Sequence, residues 1–344
     1  MKFKMEAQSL WRQMKDDTTK PIRVSELEFP KYHIRKTKTC KRPDGITQSL
    51  IVSFLKCRRN FLIGINRYRQ EKKARSFAFG SITHDTLDKI FDHYMKKGKL
   101  PKRRIIREWC YTYDKDRPNW LPESKVDEIE RFKAVCFVMV TEYIKWYADD
   151  FKPGVILGAE DLFDNYWRGY RLRGKKDLRF RKDGKIWIKE TKTAARIEEE
   201  TMMQLLAFDF QNLFYVFNEE LESGEKVNGV LRDVVRNPGM RFTDQTLRMY
   251  CKRLRADVQK RPDHYFKRYP ITYYEQDKKA FKQDLICILR DIENLINAGA
   301  KFAYKNPRSC AGKFPCANLK ACSSGKLIGY KRNKSHFSEL EGVG

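Results

Sequence analysis

Between Thr47 and Arg69 apolar residues recur at helical spacing, at Leu50, Phe54, Leu55, Phe61, Leu62 and Ile65, with Thr47 or Ser49 placed to cap the start. The pattern returns over Phe79 to Lys97, where Leu87, Ile90, Phe91 and Tyr94 share a face, and again over Lys125 to Ala148. Gly98 to Asn119 is mixed and basic. The period then shortens. Val155–Phe163, Trp167–Arg173, Lys176–Arg181 and Lys185–Thr193 read as three or four strands, the last two joined by a tight turn at Asp183-Gly184. A helix over Glu198–Glu220, a strand over Val227–Val235 and helices over Thr243–Arg261 and Gln276–Ala298 follow. This order predicts an α/β fold, a mixed central sheet flanked by helices inserted before and after it. It divides the chain into a basic segment (1–46), a main domain (47–322) and a tail (323–344). Within the main domain, residues 47–150 are helical, 151–300 carry the sheet, and 306–322 are rich in cysteine.

The strand pair around Asp183-Gly184 carries chemistry. Alternation puts Glu190 and Lys192 on one sheet face, and the hairpin brings Asp177 toward them. Two carboxylates suit Mg²⁺ or Mn²⁺, and a neighbouring ammonium can orient a water or steady a phosphate. That combination points to metal-dependent cleavage of a phosphodiester. Charge supports such a substrate: Lys and Arg number 72 against 45 Asp and Glu, a net +27. A chain this basic meets a polyanion, and nucleic acid comes first because phosphate contacts release counterions. Arg58, Arg59, Lys175 and Lys176 are candidate nucleic-acid contacts. No uncharged apolar run is long enough to span a membrane, and the first residues lack a signal-peptide core, which predicts a cytoplasmic location. No phosphate-binding loop of the motor type is present.

Further candidates stand along the chain. His84, in Gly80-Ser-Ile-Thr-His84, falls in the first turns of its helix, with Asp88 one turn on and able to orient it. Glu160 precedes the hairpin and suits either a metal or a basic partner. Gln204 and Phe208 lie four apart on the helix after Lys192 and so share a face. Of nine cysteines, Cys310, Cys316 and Cys322 cluster at spacings of six, and Cys57 lies far upstream. Four thiolates suit an iron–sulfur cluster or zinc.

Taken in order, the cysteine, Gly-x-x-x-His, an acid, Asp, Glu-x-Lys, Gln and three cysteines resemble the PD-(D/E)XK nuclease superfamily, and within it the RecB-like exonuclease branch. The resemblance runs from about Thr47 to Cys322. It implies a restriction-endonuclease-like core in which Asp177 and Glu190 bind Mg²⁺ or Mn²⁺, the Thr191 carbonyl and His84 complete the shell, and Lys192 serves the attacking water. It implies a Gln-x-x-x-Tyr motif at Gln204, with Phe208 where the tyrosine belongs. It implies that Cys57, Cys310, Cys316 and Cys322 hold a 4Fe–4S cluster, as in AddB-type subunits and the exonuclease of CRISPR adaptation modules, with Zn²⁺ the alternative. The spacing between Cys310 and Cys316 departs from the Cys-x₂-Cys of many relatives, and Arg58 stands where a proline often follows the first cysteine. Val234 to Arg241 resembles a segment of phage-encoded nucleases, which would place the enzyme in host cytoplasm. The expected function is a metal-dependent DNA exonuclease of recombination, repair or phage DNA processing. It would act on single strands or duplex ends, with a recombination or helicase partner. The alternatives are a non-catalytic DNA-binding or assembly protein, and a structure-specific endonuclease on DNA or RNA.

Overall fold

The computed structural model describes residues 22–70, 77–112, 126–195, 199–243, 246–310, 316–335 and 340. Residues 1–21 of the basic segment expected at 1–46, the start of the helix expected at Lys125, and part of the tail therefore lie outside the described residues. The elements are β1 (Ile46–Thr47), α1 (Gln48–Lys56), α2 (Arg58–Ile65), β2 (Tyr68–Gln70), α3 (Phe77–Lys97), α4 (Arg103–Thr112) and α5 (Val126–Trp146). Then come β3 (Ile156–Trp167), β4 (Tyr170–Lys182), β5 (Lys185–Ala194), α6 (Glu199–Leu206), α7 (Phe210–Ser223) and β6 (Val227–Arg236). The last are α8 (Leu247–Lys260), α9 (Pro262–Tyr265), β7 (Phe266–Thr272), α10 (Glu275–Ala298), α11 (Leu319–Ser324) and β8 (Tyr330–Arg332).

Two compact units share the chain, and they do not follow its linear order. One draws on residues 1–32, 49–71 and 292–342, the other chiefly on 33–48 and 72–291. The larger unit is built on a mixed sheet in the order β1-β4-β5-β6-β7, with β3 also paired to β4. β5 and β6 run parallel, joined through α6 and α7; β3–β4, β4–β5 and β6–β7 are antiparallel. Buried residues of α3, α5 and α8 pack with Leu178, Phe180, Trp187, Leu231 and Val235 of the sheet, making its main apolar core. In the smaller unit β2 pairs with β8, and Leu62 and Ile63 pack with Ala300, Ala303, Ala321 and Leu327.

Local chemistry explains where the elements differ from their predicted bounds. Asp183 and Gly184 both take positive φ, 52° and 70°, and close the two-residue β4–β5 turn that the sequence predicts. Arg168 and Gly169, at 50° and 85°, close a second such turn between β3 and β4. The two strands expected at Trp167–Arg173 and Lys176–Arg181 are thus one, β4. Gly174 does not break it. Gly174 pairs with Phe163 on β3, and a Cβ there would come within 2.4 Å of the Phe163 ring, so the missing side chain is filled by the aromatic. The helix expected over Thr47–Arg69 is broken at Cys57, whose backbone is extended (φ −167°) between α1 and α2. The helix expected over Glu198–Glu220 is also two. Asp209 accepts a hydrogen bond from the Asn212 amide at 2.8 Å and starts α7 afresh. β7 has no counterpart among the predicted strands. Pro270 masked it, and a proline is tolerated because β7 is an edge. Among the described residues no helix is long and apolar enough to cross a membrane.

Candidate active site

β5 is buried on both faces, and its two faces carry different chemistry. Leu178 pairs with Lys189, so the next pair along the ladder sets Asp177 of β4 opposite Glu190. The Thr191 amide donates to Asp177 Oδ2 at 3.2 Å, which ties the two strands together at the acids. Lys192, two residues on, forms an ion pair with Glu190. From α7, Gln211 Nε2 donates to Glu190 Oε1 at 2.9 Å and lies 3.2 Å from the Tyr215 hydroxyl. Glu190 is 1 % exposed, and its second oxygen, Oε2, has no hydrogen-bond partner.

α3 supplies the remaining groups. Gly80 sets how close it comes: a Cβ there would stand 2.7 Å from Thr193 Oγ1, so only glycine lets the helix lie this near β5. His84 follows one turn later and feels both Lys192 and Glu190. Burial and then Lys192 lower its pKa to about 4, against the pull of Glu190, so the imidazole is neutral near pH 7. Asp88 is raised to about 8, first by burial and then by Asp177. Glu190 is raised to about 7 by burial and by Asp177, with Lys192 opposing. Burial and Glu190 hold the Tyr215 phenol well above its ordinary range. The site thus holds more buried carboxylate than its own cations neutralise.

The opposite face of β5 is neutralised in full. Lys189 Nζ lies 3.1 Å from both Asp150 and Asp233. Arg268 of β7 donates to Asp150 at 2.8 and 2.6 Å and to both Asp233 oxygens, and Tyr143 adds its hydroxyl to Asp233. Burial would raise Asp233, but Lys189 and Arg268 pull it down to about 2.

The structure therefore brings Asp177, Glu190, Thr191, Lys192 and His84 together. Gln204 is not among them. It is exposed on α6, and Phe208 is 86 % exposed in the break between the two helices. The glutamine that reaches the acids is Gln211, with Tyr215 four residues on. Gln211-Asn-Leu-Phe-Tyr215 repeats the same spacing with the tyrosine intact. Glu160 falls across from Asp177, between the Ala159–Leu178 and Asp161–Lys176 pairs, with φ 58°, and is paired to Lys175. Lys176 corrects a second expectation: at 2 % exposed, it is bonded to Glu219 and Glu222 of α7 and has no face for a phosphate. Arg58 and Arg59 are likewise committed within the smaller unit. Arg58 lies over the Phe54 ring at 3.6 Å and donates to the Phe54 carbonyl; Arg59 donates to the Ala303 carbonyl at 2.8 Å.

The smaller unit gathers the four cysteines. Cys57 Sγ accepts from the Asn306 amide at 3.4 Å, and Cys310 Sγ lies 3.5 Å from the Asn306 carbonyl. Cys316 donates its amide to the Cys310 carbonyl at 3.3 Å. Burial raises the Cys322 thiol, and Cys57, Cys316 and Cys310 are all close enough to raise it further. Residues 311–315, which include Pro315, lie outside the described residues. Among the described residues no three His, Cys, Asp or Glu side chains stand in a ready-made metal cage. The residues around Glu190 nevertheless fit a divalent cation: a buried oxygen lacks a partner, and burial and the neighbouring Asp177 raise Glu190 against the pull of Lys192.

The PD-(D/E)XK nuclease superfamily matches residues 46–322. A solved structure titled as that of SSO0001 is similar at 15 % identity over 61 % of this chain and 87 % of that one, with a TM-score of 0.23. No curated protein matches. The superfamily match spans the sheet, the acids and the C-terminal cysteines, and the chain belongs to the PD-(D/E)XK nuclease superfamily.

Proposed function

We propose that this protein is a Mg²⁺- or Mn²⁺-dependent DNA exonuclease of the RecB-like branch, acting in recombination or repair. One observation carries the reading. Glu190 is buried with an unpartnered oxygen, opposite Asp177 and in contact with Lys192 and Gln211. Asp177, Glu190, the Thr191 carbonyl and the neutral His84 imidazole are the groups that would hold the cation. When bound, such a cation lowers the pKa of a coordinated water and offsets charge on the phosphate. Lys192 supplies a movable positive charge for the attacking water or the phosphate oxygens. Gln211 holds Glu190 in its rotamer from outside. A net +27 supports a nucleic-acid substrate. Gln211 and Tyr215, four residues apart beside Glu190, support a catalytic site over a decayed, non-catalytic fold.

In the smaller unit the donor set, four thiols drawn around Cys322, fits a 4Fe–4S cluster. Cys316→Ala is expected to bleach the protein's visible absorbance; an unchanged spectrum would refute the cluster.

The primary test is digestion of end-labelled single- and double-stranded DNA with Mg²⁺, Mn²⁺ or EDTA, comparing the natural chain with Lys192→Ala. Metal-dependent digestion lost in the variant supports the enzyme, and the product ladder gives polarity. DNA binding without cleavage under every metal condition would sink it.

A further inference from the structure

A cavity of about 230 Å³ lies past the end of β6 in the larger unit, lined by Arg131, Phe132, Asn237, Arg241, Phe242 and Tyr250 among others. It is smaller than the roughly 300–1,000 Å³ of whole small-molecule sites, a size suited to a single planar group. Three of its walls are aromatic. The Phe242 and Tyr250 rings lie 5.3 Å apart at 58°, and Phe242 remains 43 % exposed. Arg131 lies 5.8 Å from the centroids of both Phe132 and Phe242. The segment is held in shape by bonds to its backbone: the Asn237 amide donates to the Ala194 carbonyl at 2.8 Å, the Tyr250 hydroxyl to the Met240 carbonyl at 3.1 Å, and the Arg253 guanidinium to the Arg241 carbonyl at 2.8 Å.

The charge of this cavity is unbalanced. Several arginines of the unit meet acids, as Arg171 with Asp164, Arg268 with Asp233 and Arg255 with Glu142, while others meet carbonyls or rings. Among the described residues Arg131 and Arg241 have no carboxylate partner, and no acid lines the cavity. Two uncompensated guanidiniums beside an exposed ring call for a ligand that is at once anionic and aromatic. The position is also telling. Lys192 pairs with Val234 and Ala194 with Arg236, so the cavity begins three residues past the partner of Lys192. Its walls come from α5 and α8, the helices packed on the Lys189 face, so a strand reaching it from the acids must pass around the end of the sheet.

We infer that this cavity receives one unpaired base of a DNA strand, stacked on Phe242 with its flanking phosphates against Arg131 and Arg241. The inference rests on the nuclease reading above and narrows its substrate to single-stranded DNA or a frayed end. A base inside a duplex is already stacked on its neighbours and cannot enter.

The test uses single-stranded oligodeoxynucleotides carrying 2-aminopurine at successive positions, titrated in EDTA, with the natural chain, Phe242→Ala, Phe242→Leu and the Arg131→Gln/Arg241→Gln double variant. In the natural chain quenching is expected to peak at one fixed position, set apart from the cleavage point found with metal. Phe242→Ala and Phe242→Leu should lose that peak and bind roughly tenfold more weakly, with Tm unchanged for the leucine variant. The double variant should weaken binding and lower the salt slope by about two. A duplex should compete at least about tenfold less well than the single strand. Unchanged quenching and affinity in the Phe242 variants of an enzyme that still cuts DNA would overturn the pocket alone. So would losses confined to the arginine variant. A natural chain that neither binds nor cuts these strands would overturn the nuclease reading with it.

Discussion

Lys189 and Glu190 are neighbours on β5 and almost equally buried, at 0 % and 1 % exposed. Their surroundings have opposite electrostatic outcomes. On the Lys189 face two cations meet two acids and a phenol, and Asp233 is held at about 2. On the Glu190 face burial and crowded carboxyls outweigh the pull of Lys192, Arg232 and Lys175, and Glu190 and Asp88 are driven to about 7 and about 8. Burial is common to both and cannot account for the difference. What differs is whether the protein supplies its own counter-charge. Where it does, the cluster locks the strand; where it withholds it, a place is left for a charge from outside.

The largest expected effect breaks the closed face. Asp233→Asn leaves Lys189 and Arg268 buried with Asp150 as their remaining acid, and should cost about 3–5 kcal/mol in urea unfolding. A loss below about 1 kcal/mol would mean that this network is no lock. On the open face the same kind of change should act in reverse. Glu190→Gln removes a charge the fold does not want, so stability should hold or rise while metal-dependent cleavage disappears; a clear fall in Tm would erase the contrast. Next comes the support of the open face: Gln211→Leu should lower metal affinity or cleavage about 10–100-fold, read from activity against Mg²⁺ concentration. Gln204→Leu should change neither.

The smallest effect is in pH dependence. Between about pH 6.5 and 8 the folded chain retains protons on Glu190 and Asp88 that unfolded carboxyls, with pKa values near 4, have lost. The folded state binds more protons there, so metal-free stability should fall as pH rises, by on the order of 1 kcal/mol per pH unit. His84, held at about 4, acts in the opposite sense only below about pH 6.5. Saturating Mg²⁺ should flatten or invert the slope, since it needs the acids ionised. A flat metal-free profile over this window would mean that the acids are not crowded.

Local sequence carried the hairpin well: Asp183-Gly184 demands its turn, and alternation then fixes Glu190 and Lys192 on one face. His84 came from the resemblance carried by Gly-x-x-x-His, and the close helix–strand approach at Gly80 became visible only in the fold. Choosing Gln211 over Gln204 needed more. Both are followed four residues later by an aromatic, and only the helix break capped by Asp209 decides which one faces Glu190. Lys176 failed for a related reason. Its charge reads as exposed until Glu219 and Glu222, 43 and 46 residues away, arrive on α7. Properties set by one turn were legible; those set by a distant partner were not.

The interleaved layout of the smaller unit has a consequence for synthesis. Val24, Leu62 and Ile63 complete their core with Ala303, Ala321 and Leu327, and Val24 donates its amide to the Gly325 carbonyl. A ribosome delivers the first half of that core some 240 residues before the second. In that interval α2 must wait with its apolar face unsatisfied, while the strands of the sheet emerge and pair. The segment that bears Cys57 is therefore made well before the residues that complete its core, and a chain stalled between the two would carry that unfinished face.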